Sequence, residues 1–311
     1  MLRILSAALI ATTLLSPASA QEPLKVVASF SIIGDFARQV GGDRIALDVL
    51  VGSDSDSHAF EPRPQDAASL AKADVILANG ANLEAFLPRL IETSGAKAQV
   101  IELVKGVELM EAGEDEHHDH SGHDDNVKNN EHDHGEFDPH AFQSPTNAVI
   151  YVANIADAFC AADAAGCESY RANADRYSAV LRGLDTELKT IATSIPAEKR
   201  TIITSHDAFR YFGRAYDIDF LAAEGLTTEA EPSAADIAKL IDQARHDKAS
   251  AIFVENISNP RLVEQIAAET GLKLGGSLYS DALTGPDGAA PTYVDMMRHN
   301  MRTIAGAIGG S

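Results

Sequence analysis

Four residues of the 311-residue chain pair metal-binding chemistry with unusual local settings. They are His58 in SDSHAFEPRPQD, His140 in FDPHAFQSPTN, His206 in TIITSHDAFRYF and Asp281 in GGSLYSDALTGPDG. Three imidazoles and one carboxylate form a tetrahedral donor set suited to Zn²⁺. Four protein ligands leave no open position for a water nucleophile, so the set suits capture rather than hydrolysis. Taken singly, each has a plainer reading: a capping Asp281, a packed His206, and surface loops at His58 and His140. Together, and drawn from both halves of the chain, they favour one shared site.

A more conspicuous group is EHHDHSGHDDNVKNNEHDHGEFDPH, which begins at Glu116. It holds His117, His118, His120, His123, His132 and His134 before it reaches His140. Residues 111–137 carry those six histidines, ten carboxylates and one lysine, with almost no apolar residues. Such a segment cannot bury enough surface to offset its ordering entropy, so disorder is expected. Its imidazoles would bind cations weakly, because each site must order the chain as it forms. His246 (QARHDKAS) and His299 (MMRHNMRT) lie on amphipathic helical patterns beside arginine, and read as surface or satisfied positions.

The elements that must position the four candidates follow from hydropathy. LKVVASFS (24–31), 46–51, 74–80 and 98–103 read as strands separated by helical patterns. The plan repeats with strands at 201–205, 218–223, 250–256 and 272–279. Strands alternating with helices predict an α/β fold of two parallel four-stranded sheets covered on both faces. His58, His206 and Asp281 follow strands, and ligands of open parallel sheets bind outside the carboxyl ends of the strands. Between the halves, Tyr170, Ala174, Tyr177, Leu181, Leu184, Leu188 and Ile191 recur at helical spacing. This predicts a stiff linking helix over 166–196, ended by Pro196. The expected division is therefore a lobe over 21–165, the helix, and a lobe over 197–311.

The first twenty residues, MLRILSAALIATTLLSPASA, read as a secretory signal peptide cleaved after Ala20. Cys160 and Cys167 then meet an oxidising compartment, which favours a disulfide over a metal pair. The formal charge of −21 argues against nucleic acid and suits long-range attraction of cations. No His-Glu-x-x-His motif and no GxxxxGK[ST] phosphate loop occurs, so ATP hydrolysis would belong to another chain.

Several long motifs carry a resemblance: SFSIIGDFARQVGGD, HAFEPRPQD, DPHAFQSPTNA, TSHDAFRYFGRAYDI, EAEPSAADIAKLI, FVENISNPRLVEQIAAETGLKLGGSLYSDAL and TYVDMMRHN. In this order they resemble the metal-binding solute-binding proteins of the manganese/zinc ABC importers (cluster A-I, or cluster 9). The resemblance implies two α/β lobes on a rigid backbone helix, with a metal between them. It carries the ligand roles onto His58, His140, His206 and Asp281. Asp281 is the least fixed, since some members replace this aspartate with a water and a nearby acid. Manganese members have glutamate where this chain has His206, and acidic histidine loops are typical of zinc members. Phe142 stands where the family usually has tryptophan.

The expectation is a monomeric periplasmic protein that captures Zn²⁺ for an inner-membrane ABC permease with a separate ATPase. The histidine tract would be an auxiliary collector, and a periplasmic zinc donor protein is left open as a further partner. Affinity is expected to fall below about pH 6–7, where free imidazoles protonate. The alternatives are a zinc-dependent hydrolase, which needs a metal-bound water, and a metal-carrying adhesin.

Overall fold

A computed structural model describes residues 22–112, 136–230 and 232–309. The expected signal peptide, and His117, His118, His120, His123, His132 and His134, lie outside the described residues. Strand β1 (Leu24–Phe30) is buried on both faces apart from Lys25, as a central parallel strand requires. It lies between β2 (Ile45–Val51) and β3 (Val75–Ala78), and β4 (Gln99–Glu102) pairs with β3. The order is β2-β1-β3-β4, all parallel. A second sheet repeats it with β5 (Thr201–Thr204), β6 (Asp219–Ala222), β7 (Ala251–Glu255) and β8 (Leu274–Leu278), in the order β6-β5-β7-β8.

Helix α1 (Ser31–Gly41) follows β1 without a break and stops where Gly42 takes φ +53°, a conformation costly to other residues. The helices α2 (Pro64–Leu70) and α3 (Leu87–Ser94) cover the other face of the first sheet, around a core of Val27, Ile76, Leu70 and Leu90. Helix α4 (Pro145–Ala162) starts with proline in its first turn, where the missing N–H costs nothing.

Helix α5 (Cys167–Ala192) is the predicted linking helix. Tyr170, Ala174, Tyr177, Leu181, Leu184 and Leu188 are buried along one stripe. It packs on α1 and α4 of the first lobe and on α6 (Arg210–Tyr216) and α9 (Tyr293–Ile308) of the second. One apolar cluster runs from Val26 and Phe36 through Leu181 and Leu188 to Phe253 and Ile304, so both lobes share a core. The helix stops at Ala192, four residues before Pro196. Thr193 and Ser194 bond their hydroxyls to the carbonyls of Thr190 and Ile191, competing with further helix. Cys160 and Cys167 form the disulfide between the end of α4 and the start of α5.

The remaining helices, α7 (Ala234–His246) and α8 (Arg261–Thr270), cover the outer face of the second sheet. Among the described residues no helix is long and apolar enough to cross a membrane. Of the tract 111–137 expected to be disordered, residues 111–112 and 136–137 are described, and they are paired. Glu111 and Phe137 form an antiparallel bridge, Ala112 N–H donates to Glu136 O, and Asp138 N–H donates to Met110 O. Backbone pairing gives these flanks the partners that side chains alone would not.

Candidate metal centre

The four candidates come from four separate segments. His58 lies in the loop between β2 and α2, and its backbone N–H donates to Asp56. His140 precedes a single 3₁₀ turn, Ala141–Gln143, that leads into α4. His206 lies two residues beyond β5, and Asp281 three beyond β8. The structure brings all four together between the lobes, with one donor atom of each within 4.8 Å of the others.

Nε2 of His58 and Nε2 of His206 each lie 3.1 Å from Asp281 Oδ2. Nε2 of His140 lies 3.7 Å from that oxygen and 3.4 Å from Nε2 of His58. Ligands at about 2.0–2.1 Å from a tetrahedral ion are separated by roughly 3.3 Å. These four spacings lie near that edge and every donor pair is within 4.8 Å, so the donors converge on one position suited to a four-coordinate ion. His140, His206 and Asp281 are fully buried, and His58 is 8 % exposed. Asp281 Oδ1 is buried without a hydrogen-bond partner among the described residues, which a nearby cation would relieve.

Two more carboxylates orient the imidazoles from behind. Asp138 Oδ1 lies 2.8 Å from His140 Nδ1 and accepts from His140 N–H at 2.9 Å. Glu255, at the end of β7, accepts from His206 N–H through Oε1 at 2.9 Å. Its Oε2 lies 2.6 Å from His206 Nδ1, off the line of an ideal hydrogen bond. Such partners leave Nε2 free to face the ion and raise ligand basicity. Neither residue was singled out from sequence. Asp138 carried a local signal, two positions before His140 in DPH; Glu255 carried none.

This arrangement fixes the electrostatics without metal. Burial pulls the His140 imidazole down, but Asp281 and Asp138 outweigh it and hold it up at about 9. His206 follows the same pattern: burial lowers it, and Glu255 and Asp281 raise it well above the usual histidine value. Burial pushes Asp281 up, yet His140 and His206 hold it well below the usual carboxylate range. Without metal, the carboxylates around them favour the protonated forms of His140 and His206.

The excluded histidines lie elsewhere. His246 is exposed beside Asp247, and His299 Nε2 lies 3.0 Å from Ser277 O. Phe142 packs its ring 6.0 Å from that of His140 and 5.4 Å from that of Phe30.

Two parallel-sheet lobes on a shared helix, with nitrogen and oxygen donors converging between them, define a metal-binding solute-binding protein. The family model described as zinc-uptake complex component A, periplasmic (ZnuA), matches residues 26–307. The chain belongs to this family, the metal-binding substrate-binding proteins of ABC transporters, which are not enzymes. It is 31 % identical over 287 residues to the manganese-binding lipoprotein MntA of Halalkalibacterium halodurans, covering 92 % of this chain and 89 % of that one. It is 30 % identical over 294 residues to the iron-binding protein YfeA of Yersinia pestis, covering 94 % and 89 %. The periplasmic zinc-binding protein TroA from Treponema pallidum superposes with a TM-score of 0.80 at 27 % identity, covering 93 % and 99 %. Relatives thus bind manganese, iron or zinc, and proteins of this class deliver metal to a membrane permease and its ATPase.

Proposed function

We propose that this protein captures Zn²⁺ in the periplasm, after cleavage of residues 1–20, and delivers it to an inner-membrane ABC importer. His58, His140, His206 and Asp281 are its ligands. The observation that carries the reading is the donor convergence: three Nε2 atoms and one carboxylate oxygen, buried and all within 4.8 Å of one another. Imidazole nitrogen suits Zn²⁺ better than Mn²⁺, which prefers more oxygen ligands in octahedral geometry. The histidine-rich tract supports the reading as a local store that raises zinc concentration near the lobes. Its acidity attracts the cation, and its weak sites release it again.

Competitive titration of the metal-stripped full chain with Zn²⁺ and Mn²⁺ tests the proposal. One tight zinc equivalent that manganese cannot displace is expected, plus weaker zinc equivalents. Deleting 114–134 should remove only the weaker ones. Equal affinity for manganese would overturn the zinc assignment. Loss of the tight equivalent on deletion would overturn the collector role.

A further inference from the structure

His140 is held by a tripeptide, Asp138-Pro139-His140, that both lobes grip. From the first lobe, Asn79 at the end of β3 donates its amide to Pro139 O at 2.8 Å. Tyr151 donates to Asn79 Oδ1, and Glu84 accepts from Asn79 N–H, so Asn79 is itself fixed. From the second lobe, Tyr211 on α6 reaches the same tripeptide. Its hydroxyl donates to Asp138 O at 3.0 Å and accepts from Met110 N–H at 2.8 Å. One phenol therefore ties the two backbone strands that Met110 and Asp138 join by their own hydrogen bond. Beside it, Arg210 donates to Glu111 O at 2.8 Å and sets its guanidinium 3.9 Å from Asp138 Oδ2.

Tyr211 is 1 % exposed, and its hydroxyl has no role in the donor set. We propose that Tyr211 is a positioning residue that links the approach of the second lobe to the orientation of His140. The inference rests on the proposed metal-capture function. Asp138 orients His140 through both its N–H and its Nδ1, so any movement of Asp138 rotates the ligand. With α6 in place, the Tyr211 hydroxyl fixes the Asp138 carbonyl and His140 Nε2 faces the ion. A small outward shift of α6 lengthens that hydrogen bond and leaves the His140 segment on its first-lobe anchor. Ligand retention thereby depends on lobe separation at a point other than the ligands themselves.

The test compares Tyr211→Phe with the wild-type full chain. The variant keeps the ring and removes only the hydroxyl. Zinc loss to excess chelator should accelerate about tenfold, the effect of losing one to two hydrogen bonds. The association rate should stay within about twofold, since affinity changes act mainly on dissociation. The Co²⁺-substituted variant should show a shifted visible spectrum, because His140 no longer meets the ion at the same angle. Tyr216→Phe is the control. It removes another buried hydroxyl of α6, which points to Asp185 and not to the tripeptide. Unchanged chelator kinetics and an unchanged Co²⁺ spectrum in Tyr211→Phe would overturn the proposal. So would equal effects from Tyr216→Phe, which would assign the change to helix packing. If the wild-type chain itself binds no tight zinc, the metal-capture reading fails, whatever Tyr211 does.

Discussion

Glu255 Oε1 takes the His206 backbone N–H at 2.9 Å while its Oε2 faces His206 Nδ1 at 2.6 Å. One carboxylate at the end of β7 thus holds both the backbone and the ring of a residue that follows β5. The two strands are neighbours in the sheet, so the contact is fixed by the parallel pairing of Ile202 with Ala251 and Ile203 with Ile252.

Glu255→Gln should lower zinc affinity by about 10–100-fold, the usual cost of losing a partner behind a ligating histidine. Glutamine can still accept the His206 N–H, so the fold should survive. Chelator competition measures the affinity; no change would remove Glu255 from the metal site.

His206→Glu should narrow the preference for zinc over manganese by about tenfold or more, because it replaces a nitrogen donor with a harder oxygen. The new carboxylate would also face Glu255, so total affinity should fall. Paired titrations with the two ions read both effects. An unchanged zinc-to-manganese ratio would show that selectivity lies elsewhere.

Metal loading should release protons. His140 without metal is held at about 9 and is largely protonated at neutral pH, and His206 is shifted in the same direction by Glu255 and Asp281. Zinc takes the Nε2 lone pairs and displaces those protons. Affinity should therefore rise with pH through neutrality towards about pH 9 as His140 loses its proton, and fall as pH drops below that. This places the onset higher than the pH of about 6–7 expected for free imidazoles, since carboxylates surround the ligands. Calorimetry in buffers of different ionisation enthalpy counts the protons. Release of none at pH 7.5 would contradict the electrostatics of the site.

Reduction of the Cys160–Cys167 disulfide should cost about 2–3 kcal/mol of stability, from the short loop it closes. The midpoint of thermal unfolding should drop by about 3–5 °C in a chain of this size. The disulfide ties α4 to α5 outside the donor set, so tight zinc affinity should persist. A large loss of affinity on reduction would show that the start of α5 controls the site.

Much of this was legible in the sequence because parallel strands buried on both faces are continuous apolar runs. LKVVASF and AIFVE needed no periodicity to be seen as strands. His58, His206 and Asp281 stood out as titratable groups just beyond such runs, and His140 beside a proline. What sequence spacing could not supply was partnership across the sheet. Glu255 reads as an ordinary carboxylate after a strand, and only the β5–β7 pairing brings it to His206, 49 positions away in the chain. Tyr211 fits the apolar face of a short helix, and nothing local shows that its hydroxyl reaches Asp138, 73 positions earlier. The end of α5 was misplaced for a different reason. Proline marks where a helix cannot continue, whereas Thr193 and Ser194 had already diverted its last carbonyls.

The core shared by both lobes has a consequence for the transporter that receives the metal. Parting the lobes widely would expose Leu181, Phe36 and their neighbours to water, at about 25 cal/mol for each Å² uncovered. Empty and loaded chains should then present nearly the same outline. A receptor must tell them apart by fine differences at the seam between the lobes, as a lock reads the depth of a cut rather than the shape of the key.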